Sequence, residues 1–180
     1  KADVRDYGRL KKAVDEGVAQ LGRLDIVIAN AGIFTPAGMA DEISDELFVD
    51  MVDVNLVGVW RTVKAAIPHL REGGNGGSVI LTSSLAGLKG VAGAAHYVAA
   101  KHGVVGLMRT LAIELAPDMI RVNSVHPTNV DTAMIMNEAT FKMFRPDLEH
   151  PTKEDFAEGA RDFNTLPIPW VEAVDISNRP

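Results

Sequence analysis

The chain predicts a doubly wound, Rossmann-like α/β fold, a parallel sheet with helices on both faces, and three observations point to it. Short apolar runs rich in Ile and Val recur at residues 24–29, 78–82 and 120–125. Helix-length stretches alternate with them at 7–21, 44–70 and 94–116. Parallel neighbours in one sheet need crossover connections long enough to hold a helix, so this regular alternation selects the parallel arrangement.

Asp6 is a suitable N-cap, and Tyr7, Leu10, Val14, Val18 and Leu21 recur at three- or four-residue steps, so the spacing predicts a helix over 7–21 ended by Gly22. Leu24 to Ala29 is apolar apart from Asp25, which suits a strand buried on both faces, and Asn30 to Gly32 ends it in a turn. Leu47, Met51, Val54, Val57, Gly58, Ala65 and Leu70 line one side of a long helix over 44–70, in which Pro68 predicts a late kink or end. The Gly73 to Gly77 cluster is a loop, and Ser78 to Thr82 is the second buried strand. Residues 94–116 form the next helix, stopped by Pro117, and residues 120–125 the third strand.

Pro127 opens a long irregular region that holds several prolines and Met134, Met136, Phe141, Met143, Phe144, Phe156, Phe163 and Trp170. Excursions past the carboxyl end of a strand are where such folds bind ligands, and flexible apolar side chains suit an apolar ligand, so 127–170 reads as a substrate lid. The same side chains also suit an ordinary satellite core, and composition does not choose between the two. Residues 171–178 look like the opening of a further helix.

With 180 residues, 47% of them apolar, one sizeable core and one domain are expected. The net charge is −6 and no window concentrates Lys or Arg, which argues against a nucleic-acid partner. The absence of cysteine excludes disulfides and thiolate metal sites and agrees with a cytoplasmic location; no metal site is expected. No apolar run approaches the ~20 residues that span a bilayer. The chain opens at Lys1 without an initiator Met or a loop leading into a first strand, and so reads as part of a longer fold.

Tyr97 and Lys101 lie four apart on a predicted helix and project from the same face. A phenol titrates near pH ~10, and an adjacent ammonium favours the phenolate, which makes Tyr97 a candidate acid/base group. Such a pair occurs on many helices. Ser84 adds weight, because it stands thirteen residues before Tyr97 and just past the second strand, at the binding edge of a parallel sheet. Ser83 would face the site instead if the strand ended one residue later, and the thirteen-residue spacing favours Ser84. Asn30 and Asn123 also suit plain turn or cap roles. His96 and His126 receive no catalytic role, since a lone His is more often a packing or hydrogen-bonding residue.

Ser84-Leu85-Ala86-Gly87 followed by Tyr97-Val98-Ala99-Ala100-Lys101 resembles the active-site segment of the classical short-chain dehydrogenase/reductases. Asn30-Ala31-Gly32 resembles the turn beside the adenosine half of the cofactor, and Ala2-Asp3-Val4 the segment at the adenine ring. Asn55 in Val54-Asn55-Leu56 matches the family asparagine, and Arg121-Val122-Asn123-Ser124-Val125 is similar to the strand before the nicotinamide loop. The five motifs run in family order over residues 2–132.

The resemblance implies hydride transfer with Tyr97 as proton donor or acceptor and Ser84 orienting the substrate oxygen. It implies that Lys101 lowers the Tyr97 pKa and holds a ribose, and that Asn55 keeps a helix bend and a relay water. The implied cofactor contacts are Asp3, Val4, Asn30, Ala31, Gly32, Tyr97, Lys101, Pro127, Thr128, Val130 and Thr132, with NAD as the cofactor and NADP kept open.

Two departures stand out. The glycine-rich phosphate motif and the strand that selects NAD or NADP are not among these residues. Thr128 replaces the glycine of the family's Pro-Gly, which restricts the backbone there.

Residues 126–132, 144–151 and 166–171 look like the carveol dehydrogenase subgroup associated with mycofactocin. That implies oxidation of a secondary, alicyclic or terpenoid, alcohol to its ketone, with the bound cofactor reoxidised in place by the redox carrier. It also implies dimers or tetramers built through the two long helices. A 3-oxoacyl-type or other keto reductase is the nearest rival, and the apolar, Met-rich 134–170 segment favours a small alcohol over it. A dinucleotide-binding sensor or structural subunit without activity is the rival of another class. The joint presence of Ser84, Tyr97, Lys101 and Asn55 argues against that one, since the fold does not need the set.

Overall fold

The computed structural model describes residues 1–161 and 165–178, so Phe163 lies outside the described residues. Three parallel strands, β1 (Ile26–Ala29), β2 (Gly77–Thr82) and β3 (Ile120–Val125), pair in the order β1-β2-β3. Ile28 pairs with Ile80, and Ile80 in turn with Asn123. The carboxyl ends of all three therefore lie along one edge, and the segments that follow them meet there.

α1 (Tyr7–Leu21) starts where the Asp6 carboxylate accepts from the Arg9 amide at 3.0 Å and stops at Gly22, whose φ of 86° suits glycine. α2 (Asp45–Val52) and α3 (Gly58–Glu72) replace the single helix expected over 44–70. They are joined without a break by a π turn at Asp53–Val57. Pro68 does not end α3: the proline lacks only its own N–H bond, and the last turn still closes with the Gly73 amide on the His69 carbonyl at 3.1 Å. α4 (Ala95–Glu114) connects β2 to β3.

Val27, Ala29, Val79, Leu81, Ile120 and Val122 alternate along the strands and pack against Val59, Val63, Ala66 and Leu70 of α3, Val104 and Leu111 of α4, and Leu115 just past its end. Burying this cluster removes a large apolar area from water, the main favourable contribution to folding. The expectation that β1 is buried on both faces is corrected among the described residues. Ile26 and Ile28, on the opposite face, are each 60% exposed.

Past β3, α5 (Glu138–Phe144), α6 (Lys153–Ala160) and α7 (Ala173–Ser177) follow. Phe156 is fully buried. Its ring stacks on Phe141 at 5.2 Å and on Trp170 at 5.9 Å, and meets Phe144 edge-on at 4.8 Å. A satellite core therefore does form here. Met134, Met143 and Phe144 also line the main cavity, so this segment serves as core on one side and cavity wall on the other. Among the described residues no helix is long and apolar enough to cross a membrane.

Candidate active site

A cavity of about 590 Å³ opens along the carboxyl edge of the sheet, and Asn30, Gly32, Ser84, Tyr97, Lys101, Pro127, Thr128, Val130 and Thr132 all line it. Just past the end of β2, Ser84 adopts an extended backbone and caps a short 3₁₀ turn at Leu85–Gly87, its hydroxyl accepting from the Ala86 amide at 3.1 Å. Ser83 is buried and donates its hydroxyl to the Lys101 carbonyl at 3.0 Å, whereas Ser84 lines the cavity beside Tyr97, where its hydroxyl favours the phenolate.

Tyr97 lies in the first turn of α4, and Phe34 packs edge-on against its ring at 4.9 Å. Burial pushes the phenol above its usual value of 10, and the neighbouring Ser84 hydroxyl opposes that rise. Lys101, one turn on, is only 3% exposed; its Nζ donates to the Thr82 carbonyl at 2.9 Å and lies 5.5 Å from the centre of the Tyr97 ring. Desolvation lowers its own pKa from 10.5 to about 8. The expected effect of Lys101 on the phenol is therefore not what governs Tyr97 here. Burial weakens the charged form of both groups, and the ammonium is directed at a strand carbonyl.

Asn55 lies in the π turn, fully buried. Its Nδ2 donates to the Met51 carbonyl at 3.1 Å and the Ile33 carbonyl at 3.0 Å, and its Oδ1 accepts from the Ile33 amide at 3.2 Å. The side chain thus clamps the backbone after β1 from behind and is not part of the cavity wall. π turns recur at functional positions because they re-aim a helical side chain. Gly32 makes the clamp possible by close approach: a Cβ there would lie 2.7 Å from Asn55 Oδ1 and 3.7 Å from Lys101 Nζ. Gly32→Ala is expected to force Asn55 off Ile33 and to lower stability by about 1–3 kcal/mol. Denaturant melts check this, and an unchanged midpoint would show that the clamp yields without strain.

Asn30 ties the end of β1 to that of β2, its Oδ1 accepting from the Thr82 hydroxyl at 3.0 Å. Beyond β3, the Val171 amide bonds the Asn129 carbonyl at 3.0 Å and the Asp131 amide bonds the Val171 carbonyl at 2.9 Å. Strand alternation then leaves the N–H and C=O of Val130 directed away from Val171. The Thr132 hydroxyl donates to the Val130 carbonyl at 3.4 Å. The restriction expected at Thr128 is not felt, because among the described residues Met119 is the one non-glycine with positive φ.

Asp3, Val4 and Ala31 are not brought to this cavity. The Asp3 carboxylate pairs with Arg5 at 2.8 Å, which holds it down at about 2, and Arg5 reaches on to Asp50 at 2.8 Å. Val4 packs on Gly58, where a Cβ would come within 2.6 Å of its side chain. Ala31 sits exposed in the turn after β1.

Sequence reasoning passed over two residues of the site. Phe34 meets the Tyr97 ring edge-on, and the His126 ring bonds the Ser84 carbonyl through Nδ1 at 3.1 Å and the Ser124 hydroxyl through Nε2 at 2.8 Å. The one sequence signal for the latter was the Ser124–His126 spacing, which puts both side chains on one face at the end of a strand. His96, by contrast, is a buried packing residue: its Nε2 bonds the Thr35 carbonyl at 3.1 Å, and burial lowers its pKa.

A parallel sheet with crossover helices, whose carboxyl edge gathers a serine, a tyrosine and a lysine around one cavity, defines a Rossmann-like α/β protein with a candidate acid/base centre. The chain belongs to the short-chain dehydrogenases: the model of that family, described as short chain dehydrogenase, matches residues 1–142. It is 61% identical over 176 residues to a putative short-chain type dehydrogenase/reductase of Mycolicibacterium smegmatis, covering 98% of this chain and 63% of that protein. It is 59% identical over 177 residues to the (-)-trans-carveol dehydrogenase of Rhodococcus erythropolis, covering 98% and 64% respectively. A crystal structure of carveol dehydrogenase from Mycobacterium avium in complex with NAD superposes with a TM-score of 0.96 at 58% identity, over 98% of this chain and 64% of that one. The chain thus spans less than two thirds of the length of these relatives.

Proposed function

We propose that this chain is the catalytic part of an NAD-dependent oxidoreductase that interconverts a secondary alicyclic or terpenoid alcohol and its ketone. The observation that carries this reading is the gathering of Ser84, Tyr97 and the buried Lys101 in the wall of one mostly apolar cavity, with the Lys101 ammonium 5.5 Å from the centre of the Tyr97 ring.

The residues present fit a nicotinamide dinucleotide. Gly32 brings backbone close to Lys101, and the outward N–H of Val130 offers a donor at the cavity wall. When bound, the dinucleotide supplies the hydride acceptor or donor. Asp3, Val4, Asn30, Ala31 and Gly32 would hold its adenosine half, Lys101 its ribose, and Pro127, Thr128, Val130 and Thr132 its nicotinamide end. Support for NAD over NADP comes from the relative solved with NAD. Tyr97 takes the carbinol proton as the alcohol is oxidised, or returns it as the ketone is reduced. Ser84 donates to the same oxygen and fixes where it sits. Lys101 stabilises the phenolate while the proton is away, and Asn55 holds the segment at Ile33 in place.

A keto reductase acting on acyl-carrier substrates is the weaker reading, because among the described residues that line the cavity Lys101 is the one Lys or Arg, and its ammonium is directed at the Thr82 carbonyl rather than toward a phosphorylated arm. The same proposal includes residues 127–170 as the substrate lid of one catalytic domain, assembly into dimers or tetramers through α2 to α4, a cytoplasmic location, and reoxidation by mycofactocin. The residue patterns at 144–151 and 166–171 support the last of these.

Two measurements on the complete protein test the proposal. One is the mass of any dinucleotide released after native purification; the other is turnover of a panel of cyclic secondary alcohols with an artificial electron acceptor. Turnover of 3-oxoacyl substrates alone would replace this reading with the reductase. Tight dinucleotide binding with no turnover of either class would replace it with the sensor.

A further inference from the structure

We propose that His126 is a positioning residue: its ring, locked in one tautomer by Ser124, holds the Ser84 carbonyl and so aims the Ser84 hydroxyl at Tyr97. The proposal rests on the reading of Ser84 given above. Three consecutive backbone groups of the loop after β2 are gripped by Val125, the last residue of β3, and the two residues that follow it. The Ser83 amide donates to the Val125 carbonyl at 2.9 Å, and the Leu85 amide to the Pro127 carbonyl at 2.9 Å. Between them the Ser84 carbonyl accepts from the Gly87 amide at 2.9 Å and keeps a second lone pair for a further donor. The His126 ring supplies it through Nδ1 at 3.1 Å.

The chemistry of the partners fixes the tautomer. A carbonyl oxygen only accepts, so the Nδ1 facing Ser84 carries the hydrogen. The neutral ring then presents a bare Nε2, which accepts from the Ser124 hydroxyl at 2.8 Å. Ser124 points the ring, the ring holds the peptide, and the peptide carries the hydroxyl. The Ala86 amide at 3.1 Å and the Gly87 amide at 2.9 Å hold the Ser84 hydroxyl and carbonyl from within its own loop, and the His126 ring is the side chain that ties that carbonyl to the end of β3. A small rotation of that peptide would swing the hydroxyl off the phenol, and displacements of this size in a supporting residue are felt strongly in catalysis.

Asparagine and glutamine separate this role from general packing, because an Asn amide nitrogen falls where histidine has Nδ1 and a Gln amide nitrogen where it has Nε2. In the complete protein assayed with a cyclic secondary alcohol, His126→Gln is expected to lower kcat about tenfold, and His126→Asn to stay within about threefold of the parent. Dinucleotide affinity, read by fluorescence titration, stays within about twofold of the parent in both. Placed on Ser84→Ala, His126→Gln adds no further loss, since two residues acting as one unit are not additive. Ser124→Ala gives a second line should His126→Gln fail to fold: a kcat loss of about threefold that vanishes on the Ser84→Ala background.

Equal losses in the Asn and Gln variants, or the same His126→Gln loss with and without Ser84, overturn the proposal. An unaltered kcat in Ser124→Ala overturns the tautomer lock. A Ser84→Ala variant as fast as the parent overturns instead the reading of Ser84 on which the proposal stands.

Discussion

Tyr97→Phe is expected to cut turnover of the preferred alcohol by about 10²–10⁴-fold, the usual worth of a positioned acid/base group. The substitution removes one hydroxyl and leaves the ring, so the edge-on contact with Phe34 at 4.9 Å and the packing of the first turn of α4 survive. Dinucleotide affinity and the unfolding midpoint should then stay close to those of the parent, which separates lost chemistry from lost structure. The direction of the Tyr97 shift adds a second observable. Burial holds the phenol above 10, so near neutral pH it carries its proton. Ketone reduction uses that O–H as it stands, whereas alcohol oxidation starts from the phenolate and should speed up as the pH rises. Near-parental turnover in Tyr97→Phe, or oxidation that does not respond to alkali, would remove Tyr97 from the proton-transfer role.

The parts of this molecule that depend on period were legible in the chain. β2 and β3 are short β-branched runs, and α1 follows from Asp6, a three-to-four step and Gly22. The π turn at Asp53–Val57 was not legible, since one extra residue per turn leaves the apolar stripe of a long helix almost undisturbed and has no residue type of its own. What it achieves is visible only in three dimensions, where Asn55 meets Ile33 across 22 residues of chain. Motif spacing located Ser84, Tyr97 and Lys101 but said nothing of how strongly each is buried. That is why the sense of the Tyr97 shift came out differently from expectation. His126 went unrecognised for a related reason: its partner is a backbone carbonyl on the loop after a neighbouring strand, and the β2–β3 register that brings them together is set by both strands at once. The concern over Thr128 came from the family's glycine, and an ordinary φ at that position removes it.

Lys101→Met is expected to lower turnover by about 10²–10³-fold, as for loss of a preorganised charge beside the reacting group, and yet to leave the protein at least as stable as the parent near neutral pH. The two effects have one cause. Lys101 is 3% exposed with its pKa reduced from 10.5 to about 8 by burial, which corresponds to about 3 kcal/mol of unfavourable desolvation whenever the ammonium is charged. Below about pH 8 both the folded and the unfolded chain carry this proton, and the folded state bears the whole cost. Between about 8 and 10.5 the folded chain has released the proton while the unfolded chain still binds it, so the stability of the parent climbs with pH. Above that window both are neutral and the cost is gone.

Methionine never bears the charge. The advantage of Lys101→Met over the parent should therefore be largest near pH 7, and should shrink by as much as about 3 kcal/mol as the pH is raised toward 10. The bond lost from Nζ to the Thr82 carbonyl at 2.9 Å subtracts about 1 kcal/mol, at every pH where it forms. Denaturant melts of both proteins at several pH values read the difference directly. A gap that does not vary with pH would mean that Lys101 is not desolvated as its burial indicates. A variant that keeps its turnover would mean that the buried ammonium serves the fold alone. The pairing expected here, activity lost and stability kept or gained, is what a charge retained for chemistry at the expense of folding produces.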